Sequence, residues 1–285
     1  MKVINKLLHN GINAYQIKVI ALIEMTIDHL ATYGSEIPIF SDYGSTLRII
    51  GRIAAPLFLF MVTEAMRHTR NRKKYLRRLY IGAVCTSLFS VITNVLFGNT
   101  IGSFHHSNIL FTFIYTAMLI ILVEKVVMGV KEKSLNQTIL CAFGIIAVFA
   151  VHFVYLLLER YIPVGTFGHD LLNSFLISPI RVEYTILFIL MGIAMYFAPN
   201  KYWKSAAVIV VSLICCDTRI VYALRFIPFV VTMGPPQHWM ILSVPFILLY
   251  NGDKGKSQKW FFYTYYPIHR FLICVIEYCY SFFCN

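Results

Sequence analysis

The chain has 285 residues, 58% of them hydrophobic and 13% charged, with a mean hydropathy of +0.69 and a formal net charge of +12. A soluble domain of this length carries about a quarter charged residues, so the composition excludes an ordinary soluble enzyme. It predicts an all-α, polytopic transmembrane bundle in which residues 1–285 form a single domain, and it excludes a β-barrel, whose strands alternate instead of running apolar.

Apolar stretches fall at roughly residues 16–34, 47–66, 79–97, 108–129, 137–158, 181–197, 205–222, 237–250 and 260–282, which predicts about nine spans. Before the first span, Met1–Asn10 is too short in its apolar part, and too poor in small residues, for a removable signal peptide. The first span holds Lys18, Glu24, Asp28 and His29, and ionisable groups inside a span are functional candidates by default. Lys18 and His29 stand eleven residues apart, about three turns plus 20°, so they share one helix face about 16 Å apart along the axis.

The second span carries Arg48 and Arg52 at i, i+4, then Pro56, Glu64 and His68. Asp28 lies about 100° around the helix from His29, so it cannot simply orient that ring. A base on the second span, Arg48 or Arg52, is the expected partner of Asp28. Glu64 and His68 fit an interfacial ion pair. The basic run Arg67–Arg78, which includes Arg72, Lys73 and Lys74, follows directly.

The basic run marks the cytoplasmic side. With a cytoplasmic N-terminus, the even-numbered loops hold Arg67–Arg78, then Lys125, Lys131 and Lys133, then Lys201 and Lys204, then Lys254, Lys256 and Lys259. The opposite loops, 35–46 and 98–107, contain no Lys or Arg, and His105 and His106 in the second of them read as solvated. This distribution accounts for the net charge without a nucleic-acid partner. Within the basic run, a cationic rim for coenzyme phosphates is the alternative to topology and lipid contact.

Two external segments, 159–180 and 217–236, mix Pro, Gly, His and charged residues with apolar runs. Re-entrant or interfacial elements lining a vestibule and ordinary amphipathic loops both fit them. In the last span His269 follows Pro267, where either a cavity-facing or a satisfied core histidine fits. The seven cysteines show no CxxC pair and no zinc spacing, so no metal is expected.

The run Ile17-Lys-Val-Ile-Ala-Leu-Ile-Glu-Met-Thr-Ile-Asp-His29 resembles the opening of the TraX family, as does Leu47–Phe60 followed by Glu64 and His68–Arg78. Asn108–Phe113 is similar to that family's middle motif. Leu248-Leu-Tyr-Asn-Gly-Asp-Lys-Gly-Lys256 and Phe261–His269 resemble its closing motif. The resemblance implies an integral-membrane acetyltransferase of the bacterial plasma membrane. Its donor would be cytosolic acetyl-coenzyme A and its acceptor an exported peptide amine or a cell-surface glycan.

The family also resembles the wider membrane acyltransferases, in which a basic residue and, eleven positions on, a histidine occupy the first span, matched here by Lys18 and His29. The implied roles are His29 as general base or transient acyl carrier, with Asp28 and Arg52 beside it. Lys18, Arg48, Arg72, Lys73, Lys74 and His269 would lie towards the coenzyme. Two other readings remain: a transporter using Asp28, His29 and Arg52 as a relay, and a non-catalytic assembly partner. The absence of internal repeats disfavours the transporter.

Overall fold

The computed structural model describes residues 10–34, 37–97, 108–217 and 237–284. Among them the chain is all-α, and each apolar stretch expected from hydropathy contains helix, except that residues 181–184 of the stretch 181–197 form a non-helical turn before Thr185. Helix α1 (Ala14–Tyr33) opens on a capping box, with the Asn13 side chain accepting the Gln16 N–H at 3.0 Å and the Gln16 side chain accepting the Asn13 N–H at 2.9 Å. A short α2 (Pro38–Asp42) leads into α3 (Gly44–Gly51) and α4 (Ala54–His68).

The last two make up one apolar stretch of 25 residues, interrupted at Arg52–Ile53. Pro56 is the cause. It has no N–H to offer the Arg52 carbonyl four residues earlier, and its ring crowds that carbonyl. The break falls at Arg52, whose side chain pairs with Asp28.

Helices α5 (Arg72–Phe97), α6 (Ile109–Lys131) and α7 (Leu135–Tyr161) follow, and together with Gly44–His68 they supply four segments long and apolar enough to cross a membrane. The nine crossings counted from hydropathy are not established by helix length. Helix α9 (Thr185–Phe197) and the segment formed by a 3-10 turn (Gln237–Ser243) with α11 (Val244–Leu249) have 13 residues each. At 1.5 Å per residue an α-helix of that size reaches about 20 Å, short of the ~30 Å hydrocarbon core. Helix α10 (Lys201–Cys216) has 16 residues, and α12 (Lys259–Cys284) has 26. Helix α1 is long enough but carries Lys18, Glu24 and Asp28.

The basic loops gather at one end of the bundle. Arg67 donates to the carbonyls of Tyr196 and Ala198, and Arg72 pairs with Glu124. Lys201 Nζ donates to the Leu248 carbonyl at 2.6 Å, and the Ile12 N–H to the Leu249 carbonyl at 2.8 Å. Among the described residues these contacts bring the basic loops together at one end of the bundle.

At the other end, residues 159–180 contain α8 (Phe167–Phe175), started by the Thr166 side chain and packed on α5. Beyond it the chain runs back into the bundle without helix, with Ile177, Ser178, Ile180 and Val182 buried. Non-helical backbone at such depth survives when protein groups satisfy it. Here the Tyr115 hydroxyl donates to the Ile177 carbonyl at 2.7 Å, and the Thr112 hydroxyl to the Glu183 carbonyl at 2.6 Å. Of the other segment, 217–236, only Asp217 lies within the described residues, and His105 and His106 lie outside them.

Candidate functional site

The site begins with a close approach. A Cβ placed on Gly51 would stand 2.8 Å from the Asp28 Cα, so only glycine lets α3 lie this tightly on α1. That contact puts Asp28 beside Arg52, and the two form a buried ion pair. Arg52 also donates to the Gln237 side chain at 3.1 Å and to the Arg48 carbonyl at 3.2 Å. The partner expected for Asp28 is thus Arg52, while Arg48 contributes its backbone carbonyl.

His29 meets His269 across the α1–α12 contact. The His29 Nδ1 and His269 Nε2 atoms are 2.6 Å apart, the ring planes differ by 7°, and the centroids are 4.9 Å apart. That centroid distance is the hydrogen bond plus two ring radii, so the rings lie edge to edge in one plane rather than face to face. The His269 Nδ1 sits 2.9 Å from the Tyr265 carbonyl, which can only accept. His269 therefore carries its proton on Nδ1 and accepts at Nε2. His29 donates from Nδ1 and holds its basic lone pair on Nε2.

Nitrogen-15 spectra of histidine-labelled protein are expected to show this His29 tautomer. His269→Ala is expected to give a tautomer mixture, and His269→Gln, whose amide oxygen can accept, to restore part of the order. An Nε2-protonated His29 in the unaltered protein would contradict the assignment.

Around this pair lies a pocket of about 20 Å³, room for about one water molecule, lined by Asp28, His29, Gly51, Glu183, Tyr184 and Tyr266 among others. Glu183 and Tyr184 were not singled out from the sequence, although the expected span 181–197 includes them; the structure starts the helix only at Thr185 and holds both residues on the turn before it. The structure shows how they are held. The Glu183 carboxylate accepts the Ile109 N–H and lies in the field of Arg270, Asp28 and Arg52. Asn108 fixes the start of α6 by donating to the Ala83 carbonyl and the Ser87 hydroxyl, both at 2.9 Å, while accepting from Leu110. The Asn108–Phe113 motif is therefore the scaffold under Glu183, and it was the one signal in the sequence that pointed there.

Tyr184 and Thr185 are held at φ values of 63° and 61°, in the left-handed region that costs non-glycine residues on the order of 1–3 kcal/mol each. Such strain beside a polar pocket is consistent with a functional turn. Arg270 and Gln237 are further members of the cluster that the sequence did not reveal.

Lys18 is partly buried near the opposite end of α1, with its ammonium 5.9 Å from the Phe262 ring centre and in the field of the like charge of Lys254. Thr26 joins the two helices between these points, 2.9 Å from the Tyr265 hydroxyl. The α1–α12 seam therefore holds Lys18 near one end and the two histidines towards the other.

Arg72 is engaged elsewhere, with Glu124 on α6 and the Tyr196 hydroxyl on α9, and Lys73 and Lys74 are exposed at the start of α5. Glu64 pairs with the buried Lys204, and His68 lies 3.9 Å from it. Among the described residues no group of three or more His, Cys, Asp and Glu side chains is arranged to hold a metal ion. Cys141, Cys215 and Cys274 are buried as free thiols, and Cys85, Cys216 and Cys279 are exposed.

Comparison with known proteins agrees with the motif resemblance. A family model described as "TraX protein" matches residues 13–163 and 171–277. The "Probable fimbrial assembly protein FimC, serogroup H1" of Dichelobacter nodosus is 26% identical over 272 residues, covering 92% of this chain and 94% of its own length. No solved structure matches the chain.

Proposed function

The chain belongs to the TraX family of membrane proteins, and from that premise we propose that it is an acetyltransferase. It takes acetyl from cytosolic acetyl-coenzyme A and transfers it to an acceptor on the far side of the bacterial plasma membrane. The name of the FimC relative directs the acceptor towards a component of surface fimbriae, an exported peptide amine or a glycan. The observation that carries the reading is the His29–His269 pair, edge to edge beside a polar pocket, on the same α1 face as Lys18.

The chemistry follows from those groups. The acceptor's N–H or O–H meets His29 Nε2, which takes the proton as the acceptor's lone pair attacks the thioester carbonyl. The oxyanion that develops needs a donor, and the phenols of Tyr184 and Tyr266 line the pocket. When the carbon–sulfur bond breaks, the thiolate recovers the proton from the imidazolium. His269 takes no substrate. It accepts the His29 Nδ1 proton and so spreads the transient positive charge over two rings. Arg52 is occupied by Asp28, Gln237 and the Arg48 carbonyl, so its part is to hold Asp28 and the second span in place.

The N-terminus and the loops at Arg67–Arg78, Lys131–Lys133 and Lys254–Lys256 would be cytoplasmic, giving coenzyme access at the Lys18 end. Sealed vesicles test this directly. With native cysteines removed, Glu132→Cys is expected to label with an impermeant thiol reagent only in inside-out vesicles, and Val164→Cys only in right-side-out ones. Isotope-labelled acetyl-coenzyme A supplied at the Glu132 face should place its label on acceptor at the Val164 face. The reverse labelling pattern would put the donor end outside the cell, where no donor exists, and would overturn the reading.

A non-catalytic assembly role is the second reading, favoured by the printed name of the relative. It predicts that fimbriae form normally when Lys18 and His29 are both replaced.

A further inference from the structure

The mechanism leaves one sequence motif unused, the loop Tyr250-Asn-Gly-Asp-Lys-Gly-Lys256. It is no slack connector. Ile12 and Tyr250 form a parallel β-bridge, the Asn251 N–H donates to the Ile12 carbonyl at 3.0 Å, and the Ala14 N–H donates to the Asp253 carbonyl at 2.8 Å. Asn251 donates from its side-chain amide to the Asn10 carbonyl at 3.0 Å and to Asp253 Oδ2 at 3.2 Å, and accepts the Asp253 N–H at 2.9 Å. The Tyr15 hydroxyl donates to the Gln258 side chain at 3.2 Å. The loop is thus tied to the start of α1, one turn before Lys18.

Two glycines set its path. Gly252 has φ 86° and Gly255 has φ 65°, and a Cβ on Gly255 would stand 2.5 Å from Asn13 Oδ1 and 3.0 Å from Tyr15 Cβ. Only glycine allows the loop to press against the first turn of α1 in this conformation. Among the described residues, the backbone N–H groups of Gly252, Lys254, Gly255 and Lys256 donate to no protein acceptor. Nor does the Lys18, Lys254 or Lys256 ammonium meet a carboxylate within ion-pair distance. Lys18 and Lys254 are like charges held near each other with no such counter-charge, beside the rings of Phe262 and Tyr15. Backbone N–H groups without a protein acceptor, next to ammonium groups without a counter-charge, are what a phosphate requires.

We propose that this loop, with Lys18, is the phosphate-binding element of the donor site, receiving the diphosphate of a nucleotide-type coenzyme. The inference rests on the acetyltransferase reading for the coenzyme's identity, but the anion site itself does not. It also places the donor's charged end at Lys18, Lys254 and Lys256 instead of at Arg72, which Glu124 already neutralises.

Calorimetry on the full-length protein in neutral detergent tests it, with coenzyme A and inorganic pyrophosphate as probes. The variants are Lys254→Gln/Lys256→Gln and, as a charge control at the same end, Lys133→Gln. The two loop lysines are exposed, so the double variant should fold, and its thermal melting checks this. Wild type should bind coenzyme A with affinity that falls as salt rises, and pyrophosphate should compete. The double variant should weaken coenzyme A by about tenfold or more, flatten its salt dependence and lose the competition, while Lys133→Gln changes little.

Equal binding of coenzyme A by wild type and the double variant would overturn the loop proposal and leave the enzyme reading standing. Pyrophosphate binding that depends on the lysines, without coenzyme A binding, would keep the anion site and remove the acetyltransferase reading. A headgroup site is read separately on phosphatidylglycerol and phosphatidylcholine vesicles. Lysine-dependent preference for phosphatidylglycerol, with coenzyme A affinity unchanged, would assign the loop to lipid and overturn the proposal.

Discussion

His29→Ala is expected to lower acetyl transfer by about 10²–10⁴-fold, the usual worth of one positioned proton-transfer group, with coenzyme binding and folding nearly unchanged. The reason is separation along one helix. His29 works beside the pocket, whereas Lys18 lies eleven residues away, about 16 Å along α1, against Phe262. Lys18→Ala should show the complementary defect, raising the donor KM more than it lowers kcat, and Lys18→Arg should keep much of the binding because the charge remains. Initial rates against acetyl-coenzyme A concentration for wild type and these variants give both parameters. A His29→Ala protein running at near wild-type rate would end the catalytic assignment and return the His29–His269 pair to a packing role.

Asp28→Ala is expected to be the most destabilising single change in the site, at about 3–5 kcal/mol, since it leaves the Arg52 guanidinium buried without its counter-charge. Gln237 and the Arg48 carbonyl remain as neutral acceptors and do not replace a carboxylate. Thermal unfolding in detergent should show the loss, and the double change Asp28→Leu/Arg52→Met should recover most of it by removing both charges together. The same pair of variants separates two roles of the ion pair. If the double variant melts like wild type but transfers no acetyl group, the Asp28–Arg52 pair also acts on the chemistry in the pocket that Asp28 lines. Unchanged melting of Asp28→Ala would mean that the ion pair contributes no stability.

Much of the site was legible because it lies on regular helices. Eleven-residue spacing put Lys18 and His29 on one face whatever packed against it, and 100° between neighbours denied Asp28 to His29 and sent it to another span. The i, i+4 pair Arg48 and Arg52 narrowed the partner to two residues. The choice between them needed the break that Pro56 imposes and the glycine contact at Gly51, neither of which has a periodic signature. Glu183 fell inside the expected span 181–197 and read as its edge; that it sits on a turn in the field of Arg270, Asp28 and Arg52 depends on packing. Arg72 looked available in the sequence, since nothing in the run Arg67–Arg78 says that Glu124, fifty-two positions later, will meet it.

The sequence by itself determined that the protein is an all-α membrane bundle, which of its ends carries the basic loops, and which helix face bears Lys18 and His29. These follow from hydropathy, charge counts and helix periodicity, all local quantities along one chain. The tertiary structure alone decided that His29 faces His269, 240 residues away, and that His269 in turn is fixed by the Tyr265 carbonyl. It alone placed the Gly252–Lys256 loop over the first turn of α1 beside Lys18. It also separated apolar stretch from crossing, because α9 is as apolar as a span but only 13 residues long. The physical reason is the same in each case. A helix fixes where its own side chains point, but which tautomer, charge or phosphate those side chains meet depends on the neighbours that packing brings.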